Sequence, residues 1–174
     1  EADAEVVRAA RDAAPSTRLM VDADEAWDER RLGEILPVLV DCRVELIEQP
    51  LPADADGALA GLRGPIPFCA DESCRTLADL DRLDGKYGAV NIGLDKAGGL
   101  TEALALAAEA KRRGLRIVVG GAIGTSLGAA PALLAAQFAE IVDLGGPLLL
   151  ASDRVPGLRF DGGTAHPPDE SFWG

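Results

Sequence analysis

Histidine and cysteine are scarce in this chain of 174 residues, which has one histidine and three cysteines. His166 lies in a Gly/Pro-rich tail, so neither a Ser-His-Asp triad nor a histidine general base is expected. An odd number of cysteines without paired ligand spacing indicates neither a disulfide framework nor a zinc site. We expect Cys42, Cys69 and Cys74 to be small buried or half-buried residues.

Positive charge is also in short supply, since 17 Lys and Arg residues stand against 29 Asp and Glu residues and give a net charge of −12. This balance argues against a nucleic-acid backbone or an anionic membrane as a partner. Each apolar stretch is broken by Gly, Pro or a charge before the ~18 residues that a membrane span needs, and no signal-type segment opens the chain. We therefore expect a cytoplasmic protein.

Three short apolar runs each lead directly into a carboxylate. They are residues 19–21 before Asp22, 44–47 before Glu48 and 66–70 before Asp71. Such runs are typical of buried parallel strands, whose C-terminal ends carry functional groups in strand-helix repeats. A set of converging oxygen ligands suits a hard divalent cation such as Mg²⁺. Each acid taken singly is better explained as a helix N-cap or a solvated loop residue, but three in phase favour a magnesium site.

Strand and helix patterns alternate through the first 150 residues at a spacing of roughly 22 to 26 residues. The strand count allows either a (β/α) barrel without two of its usual eight strands or an open doubly wound sheet. Metal ligands on three successive strands favour the barrel. We expect a partial (β/α) barrel domain at 1–150 and an irregular tail at 151–174. The predicted helices are 1–14, one capped by Asp28 or Asp24 that runs to about residue 40, 54–62, 76–83, 101–113 and 126–139. The predicted strands are 19–22, 44–48, 66–70, 89–94, 116–119 and 141–143.

Two further segments are candidates for substrate binding. Gly121 and Thr125 belong to a glycine-rich loop before a helix, where backbone N–H groups can contact a ligand; Ser126 there is equally explained as a helix cap. Asp143, at the end of the sixth predicted strand, can bind an amine or pair with an arginine. Trp27, in the loop after Asp22, can line the pocket.

An ordered series of motifs resembles the barrel domain of the enolase superfamily, within it the muconate-lactonizing-enzyme subgroup, and most of all the dipeptide epimerases. The resemblance covers nearly the whole chain. The motifs are Val21-Asp22-Ala23, Ile47-Glu48-Gln49-Pro50, Ala70-Asp71-Glu72-Ser73, Val90-Asn91-Ile92, Lys96 to Ala103, Thr125-Ser126-Leu127 and Val142-Asp143-Leu144.

The resemblance implies an α/β fold, a (β/α)-barrel here lacking its first two strands and the N-terminal capping domain. It implies Mg²⁺ held by Asp22, Glu48 and Asp71, and a small carboxylate or dipeptide as substrate. The metal stabilises the enediolate formed when the proton α to a carboxylate leaves, so that the activity expected is that of a racemase or epimerase. In that family, lysines from the second and sixth strands exchange the proton, and acids of the eighth strand hold the ammonium group of the dipeptide.

Three departures from the family pattern are expected to remove chemical groups, and the first is the absence from these 174 residues of the segment that would carry the second-strand lysine. The sixth-strand lysine position is Gly93, and the eighth-strand pair of acids is reduced to Asp143-Leu144-Gly145. Lys96 is the candidate replacement base. Its alternative role is that of a loop or supporting cation, because strand alternation places residue 96 off the face that position 93 occupies. The alternatives to an epimerase are a non-catalytic metal- or ligand-binding relic and a one-base lyase or dehydratase. A missing N-terminal segment or association into a homo-oligomer would complete the sheet.

Overall fold

The computed structural model describes residues 2–62 and 64–174, which divide into two compact units. The first unit runs to Cys74 and includes Asp79–Val90. The second unit comprises Arg75–Ala78 and Asn91–Gly174. Each unit is described separately below.

Parallel strands in chain order form the centre of the first unit, where β1 pairs with β2, β2 with β3, and β3 with the start of β4. The third strand is shorter than the sequence indicates, because Pro67 has no N–H to donate and the regular strand begins only at Phe68. The elements are α1 (Ala2–Ala13), β1 (Leu19–Asp22), α2 (Glu29–Asp41), β2 (Val44–Glu48), β3 (Phe68–Ala70) and β4 (Ala89–Asn91).

Helix α2 begins where its sequence predicts, since the Asp28 carboxylate accepts a hydrogen bond from the Arg31 N–H at 2.6 Å. Leu32, Ile35 and Leu39 form its buried stripe at helical spacing. The predicted helices at 54–62 and 76–83 are instead short 3₁₀ helices at Asp56–Gly61 and Leu77–Arg82. Segments this short gain few i to i−4 hydrogen bonds, so the tighter winding is available to them.

The second unit contains two further parallel strands with helices between them. Its elements are α3 (Leu94–Ala97), α4 (Leu100–Arg112), β5 (Arg116–Gly120), α5 (Ser126–Ala135) and β6 (Ile141–Asp143). Strands β5 and β6 pair in parallel from Val118↔Ile141 to Gly120↔Asp143.

The expectation of a strand to residue 94 followed by a loop was wrong. Strand β4 ends at Asn91, and residues 94–97 form the single turn of α3. The Ala97 N–H donates to the Gly93 carbonyl at 2.9 Å, and Gly98 ends the turn with φ +89°, a left-handed conformation that glycine adopts without strain.

The tail is more ordered than the sequence indicates. Phe160–Asp161 (β7) and Thr164–Ala165 (β8) pair as an antiparallel hairpin that turns at Gly162, where φ is +57°. The Arg154 guanidinium donates to the Phe172 carbonyl at 2.7 Å and lies 4.5 Å from the centroid of that ring. This contact fixes the end of the chain within its unit.

The expected burial of the cysteines is confirmed. All three cysteines are buried and none is in a disulfide. Within residues 2–62 and 64–174, no helix has both the length and the apolar character that crossing a membrane requires.

Candidate metal and substrate site

The register of the first unit brings two of the predicted metal ligands side by side. Asp22 is the Cα partner of Glu48 across β1 and β2, and Glu48 is the partner of Cys69 across β2 and β3. Aligned residues of parallel strands point to the same face of a sheet. Asp71 follows two residues after Cys69, just past the end of β3. The backbone therefore presents all three acids at one edge of this unit.

The side chains of the three acids differ in their surroundings. Glu48 is buried, Asp71 is half-buried and Asp22 is exposed. The Asp22 carboxylate accepts a hydrogen bond from the Asp24 N–H at 3.0 Å. In the part of the chain that the structure describes, no group of three or more His, Cys, Asp or Glu side chains is assembled so as to hold a metal ion. The magnesium site therefore stays a prediction, which the backbone register supports.

The donor set nevertheless fits a hard cation. Beside Asp71, the Oε2 atom of Glu72 is buried without a hydrogen-bond partner among the described residues. Burial, and next the negative charge of Asp71, raise the pKa of Glu72 to about 7. A cation bound to oxygen ligands here would offset this concentration of negative charge. Glu72 and Gln49 were not predicted as site residues from the sequence. The feature that could have pointed to them is that each directly follows a predicted metal ligand in the chain.

A cavity of about 490 Å³ lies beside Asp22 in the first unit. Trp27 lines it, as expected, and its indole Nε1–H donates to the Asp3 carboxylate at 3.1 Å. Arg31 donates to the same carboxylate, also at 3.1 Å. Hydrogen bonds from Arg31, and then Trp27, lower the pKa of Asp3, so this wall of the cavity carries a fixed ion pair.

Lys96 lies in α3 of the second unit, and its side chain reaches back to the end of β4. Its Nζ donates to the Asn91 carbonyl at 2.9 Å. Because residues 94–97 are helical, the strand alternation used to place Lys96 does not apply. A Cβ atom added at Gly93 would stand 3.8 Å from the Lys96 Cβ and 2.8 Å from Oδ1 of Asp95. The carboxylate of Asp95 therefore lies close to the space that a side chain at position 93 would enter.

The glycine-rich loop lines a second cavity, of about 180 Å³. Gly121, Thr125 and Leu144 are in its wall, and Asp95 is the charged residue among its described lining. Ligand pockets usually enclose ~300 Å³ or more, so this cavity suits a fragment such as a side chain or an acyl group. The predicted Gly121 and Thr125 thus lie on a cavity, which leaves their binding role a prediction.

The other two residues of this region have separate places. Asp143 is exposed, and its Oδ1 accepts from the Gly145 N–H at 3.4 Å. The N-cap of α5 is Thr125, so Ser126 is not the cap but the first helical residue. The buried Ser126 hydroxyl donates to the Asp153 carboxylate and accepts from the Leu158 N–H at 2.8 Å.

Alternating parallel strands and helices, with acids at three successive strand ends, define a domain of the (β/α)-barrel class. The chain belongs to the family described as Enolase C-terminal domain-like, whose model matches residues 1–171. The recognition of an enolase-superfamily barrel domain of the muconate-lactonizing subgroup, with likeness to dipeptide epimerases, is confirmed, as is the fold class of a truncated (β/α)-barrel.

Two curated relatives have similar sequences. N-acetyl-D-glutamate racemase of Pseudoalteromonas sp is 48% identical over 162 residues, which are 93% of this chain and 51% of that protein. L-Ala-D/L-Glu epimerase of Escherichia coli (strain K12) is 46% identical over 158 residues, which are 91% of this chain and 49% of that protein. The chain thus spans about half the length of the curated relatives it matches.

A solved structure gives the same picture. An enolase family member from Agrobacterium tumefaciens, with homology to dipeptide epimerases and with bound sodium and L-Ala-L-Glu, is 49% identical and superimposes with a TM-score of 0.93. The match covers 97% of this chain and 52% of that one. That protein therefore holds a hard cation and a dipeptide on a fold that includes this one.

Proposed function

We propose that the complete protein containing this chain is an epimerase that removes and returns the proton α to a carboxylate in a dipeptide. The observation that carries the proposal is the register that aligns Asp22 with Glu48 and places Asp71 past the next strand. Names and ligands of the similar proteins support the substrate class. Residence in the cytoplasm is part of the same proposal.

The three acids would hold Mg²⁺, because hard oxygen ligands with negative charge match its preference. The bound ion would supply positive charge beside the substrate carboxylate and so acidify the neighbouring C–H group. Glu48, buried at the end of β2, would fix the position of the ion, while the exposed Asp22 and half-buried Asp71 would turn toward it.

Lys96 is the proposed proton acceptor. Its Nζ donates to the Asn91 carbonyl, which positions the amine beside the end of β4. Asp143 would bind the ammonium group of a dipeptide, with Gly121 and Thr125 contacting the substrate through the backbone. In this proposal the three acids bind the metal ion, Lys96 transfers the proton, and the remaining residues bind the substrate.

The test is solvent exchange at the α-carbon. Incubating the complete protein with L-Ala-L-Glu and Mg²⁺ in D₂O, and following the glutamate α-proton by NMR, should show its replacement by deuterium. Lys96→Met should slow this exchange by about 10² to 10⁴, the usual contribution of a general base. Exchange at the buffer rate in a protein that binds the metal would reject the epimerase.

A second candidate is a racemase of N-acylated amino acids. The 180 Å³ cavity has a mostly uncharged lining, and Gly145 stands where the resemblance to the family implies the second acid of a pair. The region therefore offers little negative charge for an ammonium group. An N-acetyl group instead presents a neutral amide that backbone groups can bind. The N-acetyl-D-glutamate racemase relative supports this substrate class.

The two substrate classes are separable by one variant. If Asp143 binds an ammonium group, Asp143→Asn should slow the α-proton exchange of L-Ala-L-Glu and leave the exchange rate of N-acetylglutamate unchanged. Faster exchange of N-acetylglutamate than of the dipeptide by the unaltered protein would favour the second candidate.

A further inference from the structure

Five residues of the first unit form a continuous polar cluster beneath the strand ends, here called the amide network. Gln49 is fully buried, Asp56 and Tyr87 are buried, and Lys86 and Ser73 are half-buried. Buried polar groups are costly unless they are hydrogen-bonded, and within this network the described hydrogen bonds satisfy all five side chains.

Gln49 is the centre of the network and bonds on both ends of its amide. Its Oε1 accepts from the Asp71 N–H at 2.8 Å and from the Ser73 N–H at 3.1 Å. Its Nε2, which carries two hydrogens, donates to the Leu51 carbonyl at 2.8 Å and to the Ser73 hydroxyl at 2.9 Å, with the Tyr87 hydroxyl, at 3.2 Å, sharing the second. One side chain thus joins the end of β2 to the turn after β3.

The rest of the network sets which way that amide faces. The hydroxyls of Ser73 and Tyr87 both donate to Oδ2 of Asp56, at 2.7 and 3.0 Å. With their protons committed to a carboxylate, these hydroxyls can only accept from Gln49, so Nε2 must face them and Oε1 must face the backbone of residues 71 and 73. Lys86 closes the network, with its Nζ 2.5 Å from Oδ1 of Asp56.

Gln49 connects the two strand ends that carry the predicted ligands Glu48 and Asp71. It directly follows Glu48, and its backbone N–H continues the ladder to Cys69 at 2.9 Å. Its φ of +31° is a conformation that a non-glycine residue adopts only where the surroundings enforce it. The side chain of the same residue accepts a hydrogen bond from the Asp71 N–H. The distance between the ends of β2 and β3 therefore depends on one glutamine.

We propose that Gln49, oriented by Ser73, Tyr87, Asp56 and Lys86, is a positioning residue that holds Glu48 and Asp71 at the separation needed to share one cation. The inference rests on the metal centre proposed above. Gln49 contacts neither the ion nor the substrate; it acts through the backbone of Asp71. A glutamine that only filled space in the core would not need to accept hydrogen bonds from the backbone N–H groups of both Asp71, a proposed metal ligand, and Ser73.

The experiment compares metal affinity and local exchange in the complete protein. Gln49→Met keeps the length of the side chain and removes all of its amide hydrogen bonds. We expect the Kd for Mn²⁺, titrated alone as a stand-in for Mg²⁺ by calorimetry, to rise by about 10- to 100-fold, the usual effect of losing a group that orients a metal ligand. In the metal-free protein, the amides of Asp71 and Ser73 should lose protection from hydrogen exchange.

Two further variants make the test decisive. Tyr87→Phe is milder, since it removes one acceptor of Gln49, and should give a smaller rise in the Mn²⁺ Kd in the same direction. Leu32→Ala, in the buried stripe of α2, lowers the stability of the same unit without touching the network and should leave the Kd unchanged.

The possible outcomes separate cleanly. If Gln49→Met folds and binds Mn²⁺ as the unaltered protein does, or if Leu32→Ala weakens binding equally, the positioning role is overturned while the metal centre stands. If the unaltered protein binds no Mn²⁺, the metal centre itself is overturned, and the positioning role with it.

Discussion

Gly93 occupies the position at which the resemblance to the family implies a lysine. Its backbone is extended, with φ −100° and ψ 135°, so any L-residue can occupy it. A Cβ there would stand 2.8 Å from Oδ1 of Asp95, which is the end of an exposed and flexible side chain. The position therefore tolerates a longer side chain at the cost of rotating Asp95.

Restoring a lysine at this position should raise proton exchange. We expect Gly93→Lys to increase the rate of α-deuterium exchange by about 10²-fold or more, because a general base contributes that much. The rate is measured by NMR in D₂O, with Gly93→Met as a control of similar length. An equal increase in the methionine variant would show that the effect is steric.

Asp56 is a buried acid whose charge is held by three hydrogen-bond donors of the first unit. Burial acts to raise the pKa of its carboxyl, but the hydrogen bonds from Lys86, Ser73 and Tyr87 together outweigh burial and lower that pKa. A carboxyl with a lowered pKa stabilises the folded state above its unfolded pKa, of about 4, and loses that contribution as the pH falls through its folded value.

Asp56→Asn should therefore be destabilising in a pH-dependent way. At pH 7 we expect a loss of about 3 kcal/mol in the free energy of unfolding, because the half-buried Lys86 is left without its counter-charge. The difference between variant and unaltered protein should shrink as the pH falls below about 4. Urea unfolding at pH 7 and pH 3 measures it, and a difference independent of pH would contradict the assignment.

At the scale of elements, helix α5 depends on the tail for its first turn. The Ser126 N–H donates to Oδ1 of Asp153 at 3.0 Å, and hydrogen bonds from Ser126 lower the pKa of that carboxyl. The same serine hydroxyl accepts from the Leu158 N–H. A tail predicted to be irregular thus supplies the carboxylate that satisfies the N-terminus of a helix.

Ser126→Ala should loosen this junction. The Leu158 N–H loses its acceptor, and because Leu158 is half-buried the lost hydrogen bond costs about 1 kcal/mol. We expect a loss of that size in urea unfolding, with faster hydrogen exchange at the Leu158 amide. Ser171→Ala, which removes an exposed hydroxyl that donates to Asp169, serves as the control and should change neither quantity appreciably.

At the scale of the molecule, a shared cation would tie three strand ends of the first unit together and so resist unfolding. A ligand present at 100 times its Kd stabilises the folded state by about 2.7 kcal/mol. For a domain of this size, that amounts to a rise in Tm of about 5 to 10 °C. The stabilisation is a property of the whole fold, because unfolding disperses the three ligands.

Glu48→Gln should abolish the rise in Tm that Mg²⁺ produces, since the buried ligand at the end of β2 loses its charge. Differential scanning calorimetry with and without Mg²⁺ measures it. Glu45→Gln alters another acid of β2, one paired with Arg18 at 2.7 Å, and should keep the full rise. An undiminished rise in the Glu48 variant would remove Glu48 from the metal site.

Much of the architecture could be predicted because local patterns carry it. Apolar runs ending in acids gave β1 and β2 with their observed bounds, and Asp28 marked the start of α2. Gly93 and Lys96 show the limit: a strand to residue 94 and then a loop were expected, whereas the strand ends at Asn91 and residues 94–97 form a helical turn. Four residues carry too little periodicity to predict such a turn. The family motifs were readable from the sequence for the same reason, since each is a short run of adjacent residues.

The sequence by itself determined the family, the order of strands and helices, and the acids at the strand ends, because these depend on residues close together in the chain. Only the tertiary structure decided that Asp22 is the register partner of Glu48, that the tail carboxylate Asp153 bonds to α5, and that Gln49 grips the amide of Asp71. Those contacts join residues 22 to 27 positions apart, and their geometry follows from strand pairing and packing, which no local pattern encodes.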